Sequence, residues 1–252
     1  MLEILQISEN GLRANQTWLN SISHNVANIQ TLGFKKSLVN FGELVNNSPQ
    51  LKAVNNEIQF DGMGTKIISQ IMDVGQGDMK TTNRALDLAI EGNGFFEIEL
   101  DDETLGYTRV GRLTVNPEGR LTTQEGHPLT SEILIPIDSK NIKISSDGTV
   151  HADVSDDQTI EIGKIQLVNF ANPEHLKPIG NELYVPTELS GESEQSIGEG
   201  HSKILQGFVE MSNVDLIDEM TNLLLAQRAY QLNARLIQTA DQVLETINNL
   251  RR

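Results

Sequence analysis

Both ends of the chain carry an apolar residue at every seventh position, and the long stretch between them does not. Leu5, Leu12, Leu19 and Val26 recur at the front, with Ile22 and Ile29 as a second row. Leu216, Leu223, Tyr230, Ile237 and Leu244 recur at the back, flanked by Met220, Ala226, Ala240 and Ile247. A seven-residue period keeps one seam of a helix turned toward a partner helix. Two such helices, distant in sequence and alike in rhythm, predict an α+β chain with its N- and C-terminal helices paired as a coiled coil. They favour assembly over catalysis.

The front helix begins at Met1 and, taken to residue 27, is about 40 Å long. Gly33 is its expected stop, since glycine tolerates the left-handed conformation that ends helices. The back helix opens at Ser212 or Asn213, either a good N-cap, and runs to residue 250. Their polar faces are rich in amides: Asn10, Asn15, Gln16, Asn20 and Asn25 in front, Asn222, Gln227, Gln231, Asn233, Gln238 and Gln242 behind. Amides donate and accept across helix interfaces without the desolvation penalty of charges. Subunit contacts are therefore expected along Leu5, Leu12, Leu19, Val26, Leu216, Leu223, Arg228, Tyr230, Ile237 and Leu244.

Residues 67–207 read as short alternating strands separated by turns, the pattern of an antiparallel β domain. Phe96, Ile98 and Leu100 alternate with Glu97 and Glu99, and Asn116-Pro117-Glu118-Gly119 is a hairpin turn. Residues 40–66 lose periodicity and read as an extended connector. The expected organisation is residues 1–39 plus 208–252 as paired helices, 40–66 as connector and 67–207 as β-rich domain.

The formal net charge of −16 over 252 residues repels a phosphate backbone, so nucleic acid is excluded as a partner. The same charge disfavours an anionic membrane surface, and no apolar run reaches the roughly 20 residues of a membrane span. There is no cysteine, hence no disulfide and no thiolate metal site. Residues 1–20 do not read as a secretory signal, because Glu3, Gln6, Glu9 and Asn10 interrupt any apolar core. His24, His127, His151, His175 and His201 are scattered, with no HExxH pair for zinc. Gly92 and Gly94 open no helix and so form no phosphate loop. No catalytic residue, cofactor or metal site is expected. The acidic runs Asp101-Asp102-Glu103 and Asp153, Asp156 and Asp157 read as solvated turns.

Four segments carry a specific resemblance. Ser23-His24-Asn25-Val26-Ala27-Asn28-Ile29-Gln30-Thr31-Leu32-Gly33-Phe34-Lys35 is similar to the "NNLAN-x-x-T-x-GFK" signature of bacterial flagellar rod and hook (axial) proteins. Leu86-Asp87-Leu88-Ala89-Ile90-Glu91-Gly92-Asn93-Gly94-Phe95-Phe96 resembles that family's "LD-x-AI-x-G-x-GFF", and Tyr107-Thr108-Arg109-Val110-Gly111 with Asn116 and Gly119 its "YTR-x-G…N-x-x-G". Gln206-Gly207, Glu210, Ser212-Asn213-Val214 and Ala226-Gln227-Arg228-Ala229-Tyr230 resemble its C-terminal "QG-x-x-E-x-SNV…AQRAY". The match spans the chain in order and is nearest to the distal-rod members, although His24 replaces the first Asn and residues 44–60 depart from the usual connector.

The resemblance implies a structural subunit of the flagellar basal body, exported through the flagellar type III apparatus without a cleaved signal and polymerising across the periplasm. It implies as partners further copies, other rod proteins, the hook or hook-rod junction protein, and the P-ring and L-ring proteins. Its motif positions here are Asn25, Ala27, Asn28, Gly33, Phe34, Lys35, Gly92, Gly94, Phe95 and Phe96. The alternatives are a neighbouring rod or hook-type subunit, or a periplasmic carbohydrate-active enzyme with helical arms.

Overall fold

The computed structural model describes residues 2–45, 62–100, 104–131, 133–136, 139, 141–154, 158–196 and 202–250. The chain forms two compact units, one of residues 1–27, 37–71 and 215–252, the other of 28–36 and 72–214. Residues 28–36 and 208–214, expected with the helices, thus fall in the second unit.

In the first unit, helix α1 spans Leu2–Ala27 and helix α2 spans Leu216–Leu250. The cap of α2 is Asp215, not Ser212 or Asn213: its Oδ1 accepts the N–H groups of Ile217 at 2.7 Å and Asp218 at 3.2 Å. Asp218 and Glu219 in the first turn add favourable charge at the positive end of the helix dipole. The two helices run antiparallel. Asn25 Nδ2 donates to Glu219 Oε1 at 3.3 Å, and fourteen residues earlier Gly11 lies against the side chain of Asn233, fourteen residues later. The expected connector contributes strands Ser37–Val45 and Gly62–Met72, which pair as a two-stranded sheet. Its remainder, residues 46–61, lies outside the described residues. Trp18 of α1 meets Phe41 edge-on at 5.7 Å. Among the described residues no helix is long and apolar enough to cross a membrane.

The second unit is β, and among the described residues its strands pair antiparallel throughout. Its largest sheet has six strands in the order Lys177–Gly180, Leu183–Val185, Leu105–Thr108, Phe95–Glu99, Leu167–Phe170 and Ser193–Gln195. Asn141–Ile144, Thr149–Val154 and Gln158–Lys164 form a three-stranded sheet, and Leu88–Glu91 pairs with Lys203–Gln206. The predicted hairpin is present at Asn116–Gly119, where the Asn116 Oδ1 accepts from the Glu118 and Arg120 N–H groups.

Period-two alternation gives the six-stranded sheet two different faces. Phe96, Ile98, Leu167 and Leu183 enter an aliphatic core with Leu88, Ile90, Leu113 and Val150. Their sequence neighbours Phe95, Val168 and Tyr184 enter an aromatic cluster with Tyr107 and Phe170. There the Tyr107 and Phe170 rings meet edge to face at 4.8 Å, and Phe95 meets Phe170 at 6.2 Å and Tyr184 at 6.0 Å. Burial pushes the Tyr184 hydroxyl well above its ordinary pKa, so it stays neutral. Phe96 is fully buried at the centre of the aliphatic side. Phe96→Ala is expected to lower stability by about 3–5 kcal/mol, measured by urea denaturation.

Candidate functional site

The four signature segments meet at one buried carboxylate. Glu210 ends the strand Phe208–Glu210, and its side chain is 1% exposed. Its Oε1 accepts from Lys35 Nζ at 2.6 Å and from the Gly77 N–H at 2.9 Å, and its Oε2 accepts from Arg109 Nε at 2.7 Å. Its main-chain oxygen accepts the Gly33 N–H at 2.9 Å. One carboxylate therefore faces two cations. The surplus positive charge is met by carbonyl dipoles: Gly92 O and Gly94 O accept from the Arg109 guanidinium, and Gly75 O accepts from Lys35 at 2.7 Å. Gly92 and Gly94 sit at φ +101° and +146°, backbone that L side chains rarely adopt, while their carbonyls bond to Arg109. Burial lowers the Lys35 pKa despite the attraction of Glu210.

Beside this cluster, a second knot joins the points where the unit's segments begin and end. The Lys36 N–H donates to Asn213 Oδ1 at 2.8 Å, Asn213 Nδ2 donates to Asp73 O at 2.9 Å, and the Asp73 N–H donates to Lys36 O at 2.9 Å. Lys36 Nζ also pairs with Asp73 at 3.2 Å. Phe34 is buried, and Asn28 accepts from the Thr31 hydroxyl. Phe95 and Phe96 occupy the two faces of the sheet described above.

In the helical unit Asn25 is 2% exposed and serves three segments. It donates to Ser37 O at 3.0 Å and to Glu219, and accepts the Ser37 N–H at 2.9 Å. Ala27 is exposed. The expected apolar seam is only partly enclosed. Leu5, Leu12, Leu19, Val26, Leu223 and Ile237 are half-buried, whereas Leu216, Tyr230, Leu244 and Arg228 are exposed. Ile22, of the expected second row, is buried, and the other enclosed positions are smaller or polar: Ser8, Ala14, Ser21 and Asn25 on α1, and Glu219, Ala226 and Ala240 on α2. On α2 these share a seven-residue line with Asn233, three residues along from the expected one. Small side chains win because Gly11 admits the opposite helix too closely for leucine.

Much of the apolar surface of α2 faces outward. Leu225, Leu232, Leu236, Val243 and Leu250 are exposed, and with Ala229, Thr239 and Thr246 they follow an alternating four-three spacing. That spacing was present in the sequence, and only the structure shows it uncovered. Among the described residues no group of three or more His, Asp or Glu is placed to hold a metal. Asp101, Asp102, Glu103, Asp156, Asp157 and His201 lie outside the described residues, and Asp153 pairs with Lys143 at 3.3 Å.

In the sequence Lys35 stands out only through its motif, and nothing local assigns a role to Arg109 or Glu210. Their partners lie 175 and 101 residues apart, beyond any local pattern. Removing one member of a buried charge cluster strands the others, so Glu210→Gln is expected to destabilise by about 3–5 kcal/mol in urea denaturation. The doubly apolar Lys35→Met/Glu210→Met variant, measured alongside, is expected to lose less than the sum of the two single changes.

Residues 205–250 match the family model "Flagellar basal body rod FlgEFG protein C-terminal", and residues 89–152 match "Flagellar hook protein FlgE/F/G D1 domain". The chain is 36% identical to the flagellar basal-body rod protein FlgG of Buchnera aphidicola subsp. Baizongia pistaciae, over 99% of this chain and 100% of that protein. It is 36% identical to FlgG of Bacillus subtilis over 100% of both chains, and 33% identical to the hook-basal body complex protein FlhP of the same organism, again over 100% of both. The crystal structure of the Helicobacter pylori flagellar hook protein FlgE2 aligns with a TM-score of 0.27 and 15% identity over 71% of this chain and 40% of that one, too slight a likeness to carry an argument. Full-length identity of this order, with the signature residues gathered at one buried cluster, shows that the chain belongs to the flagellar basal-body rod protein family, FlgG type.

Proposed function

We propose that this rod-family member is the distal-rod subunit, a structural protein that polymerises into a rigid tube and transmits torque without catalysis. The single observation that carries this reading is the outward apolar line on α2. A helix already packed on one side keeps a second heptad line in water, and such a line is satisfied by another helix. In this reading α1 and α2 pair as a coiled coil, and copies pack through Leu225, Leu232, Leu236, Val243 and Leu250. The exposed members of the first line, Leu216, Tyr230 and Leu244, and the half-buried Leu5, Leu12, Leu19, Val26, Leu223 and Ile237 complete the contact, with Arg228 at its margin. The helical unit, residues 1–27, 37–71 and 215–252, acts as inner wall, and the β unit, residues 28–36 and 72–214, as outer layer.

The family's other properties extend the reading. Export proceeds through the flagellar type III apparatus without a cleaved signal, and the polymer spans the periplasm. Its ends meet other rod proteins and the hook or hook-rod junction protein, and its outer layer turns within the P and L rings. The carbohydrate-active alternative has no support among relatives named as rod and hook-basal body proteins.

Leu236 is 51% exposed, so a polar residue there disturbs little within one copy. Leu236→Glu is expected to cut polymer yield at least tenfold in sedimentation, with the monomer's urea stability changed by no more than about 0.5 kcal/mol. Undiminished polymerisation of this variant would contradict the packing scheme.

A further inference from the structure

The β unit holds an acidic cavity that neither the Glu210 cluster nor the sheet cores use. Its volume is about 150 Å³. Leu32, Val110 and Leu183 contribute apolar wall, and Glu125 and Glu182 contribute carboxylates. Neither carboxylate has a hydrogen-bond or ion-pair partner among the described residues. Thr123 lines the same cavity, is 5% exposed, and its buried Oγ1 has no partner. Glu182 occupies the two-residue turn Asn181-Glu182 of a hairpin, where both residues take positive φ, +52° and +55°. Glycine or asparagine is the usual occupant of the second turn position, so a glutamate there is held against local preference. Burial, and then the neighbouring Glu125 charge, hold the Glu182 carboxyl above its ordinary range.

Two carboxylates and a spare hydroxyl oxygen are acceptors without donors. A guanidinium supplies five N–H donors and no acceptor, and its methylene stem suits apolar walls. A divalent cation such as calcium asks for six to eight oxygens and gains nothing from leucine and valine. A matching donor is a cation left without a partner in its own chain. Arg228 and Arg235, seven residues apart on α2, are exposed and make no ion pair with another described residue. We propose that this cavity is a socket for an arginine side chain, Arg228 or Arg235, of a second copy of the chain. The proposal rests on the polymer reading above and assigns it a specific contact between the helix of one copy and the β unit of the next.

The test has two arms. In the first, the dilute full-length chain is titrated with N-acetyl-arginine amide, its neutral isostere N-acetyl-citrulline amide, and calcium chloride, followed by amide NMR. Saturable shifts at Thr123, Glu125 and Glu182 are expected with the arginine probe, at least tenfold weaker with citrulline and with Glu182→Gln. Equal response to citrulline, or tighter response to calcium at the same amides, overturns the socket. Because the folded carboxyl titrates above its unfolded value, its charged form weakens the fold at pH 7 but not at pH 3. Glu182→Gln is therefore expected to raise Tm at pH 7 and leave it unchanged at pH 3; a lower Tm at pH 7 contradicts the unpaired carboxylate.

In the second arm, polymer yield is measured for Glu182→Arg, Arg228→Glu, Arg235→Glu and the two exchanged pairs. Glu182→Arg and the change at whichever arginine enters the socket are each expected to lower yield at least tenfold, and the exchanged pair built on that arginine to restore it. Arginine binding without restoration overturns the second-copy assignment. A wild-type chain that never polymerises overturns the rod reading instead, and leaves the first arm to decide the socket.

Discussion

The structure of the β unit depends on a carboxylate that no water reaches. Glu210 binds Lys35 and Arg109 at once, and those cations are shared with carbonyls aimed by glycines in backbone that other residues rarely adopt. Charges taken out of water gain little over good apolar packing. What such a cluster contributes is selectivity, because any other pairing of these segments leaves a bare charge or an unmet carbonyl. That explains why residues scattered from 33 to 210 belong to one signature: each supplies a different group to a single coordination shell.

The helical unit is organised on the opposite logic. Its inward contacts are modest, made by alanine, serine, asparagine, one buried glutamate and Ile22, and most of its larger side chains stay in or near water. A monomer built for its own stability would bury Leu225, Leu232 and Leu236. Their exposure fits the proposed packing by other copies, and with it membership of a rod family.

Local pattern made much of this legible. The presence of both helices, the alternation at Phe95–Glu99 and the hairpin at Asn116–Gly119 follow from period and turn chemistry, which are set within a few residues. The helix ends do not, since α1 stops at Ala27, six residues before the expected Gly33, and α2 starts at Leu216. What failed was whatever depended on a distant partner. The seven-residue beat of α2 was visible, but its buried line passes through Glu219, Ala226 and Ala240, because the close approach at Gly11 favours small groups. Asn213 looked like a helix cap and instead bonds Lys36 and Asp73, while Asp215 took the cap. Arg109 and Glu210 carried no local signal, since their meaning lies in each other.

As proposed, the uncovered face of α2 is an assembly surface. Electron microscopy of the concentrated wild-type protein tests it most directly. Straight tubes of regular diameter, growing from monomers as concentration rises, are the result this account requires. Monodisperse monomers at every concentration, or discrete trimers that never extend, would contradict it.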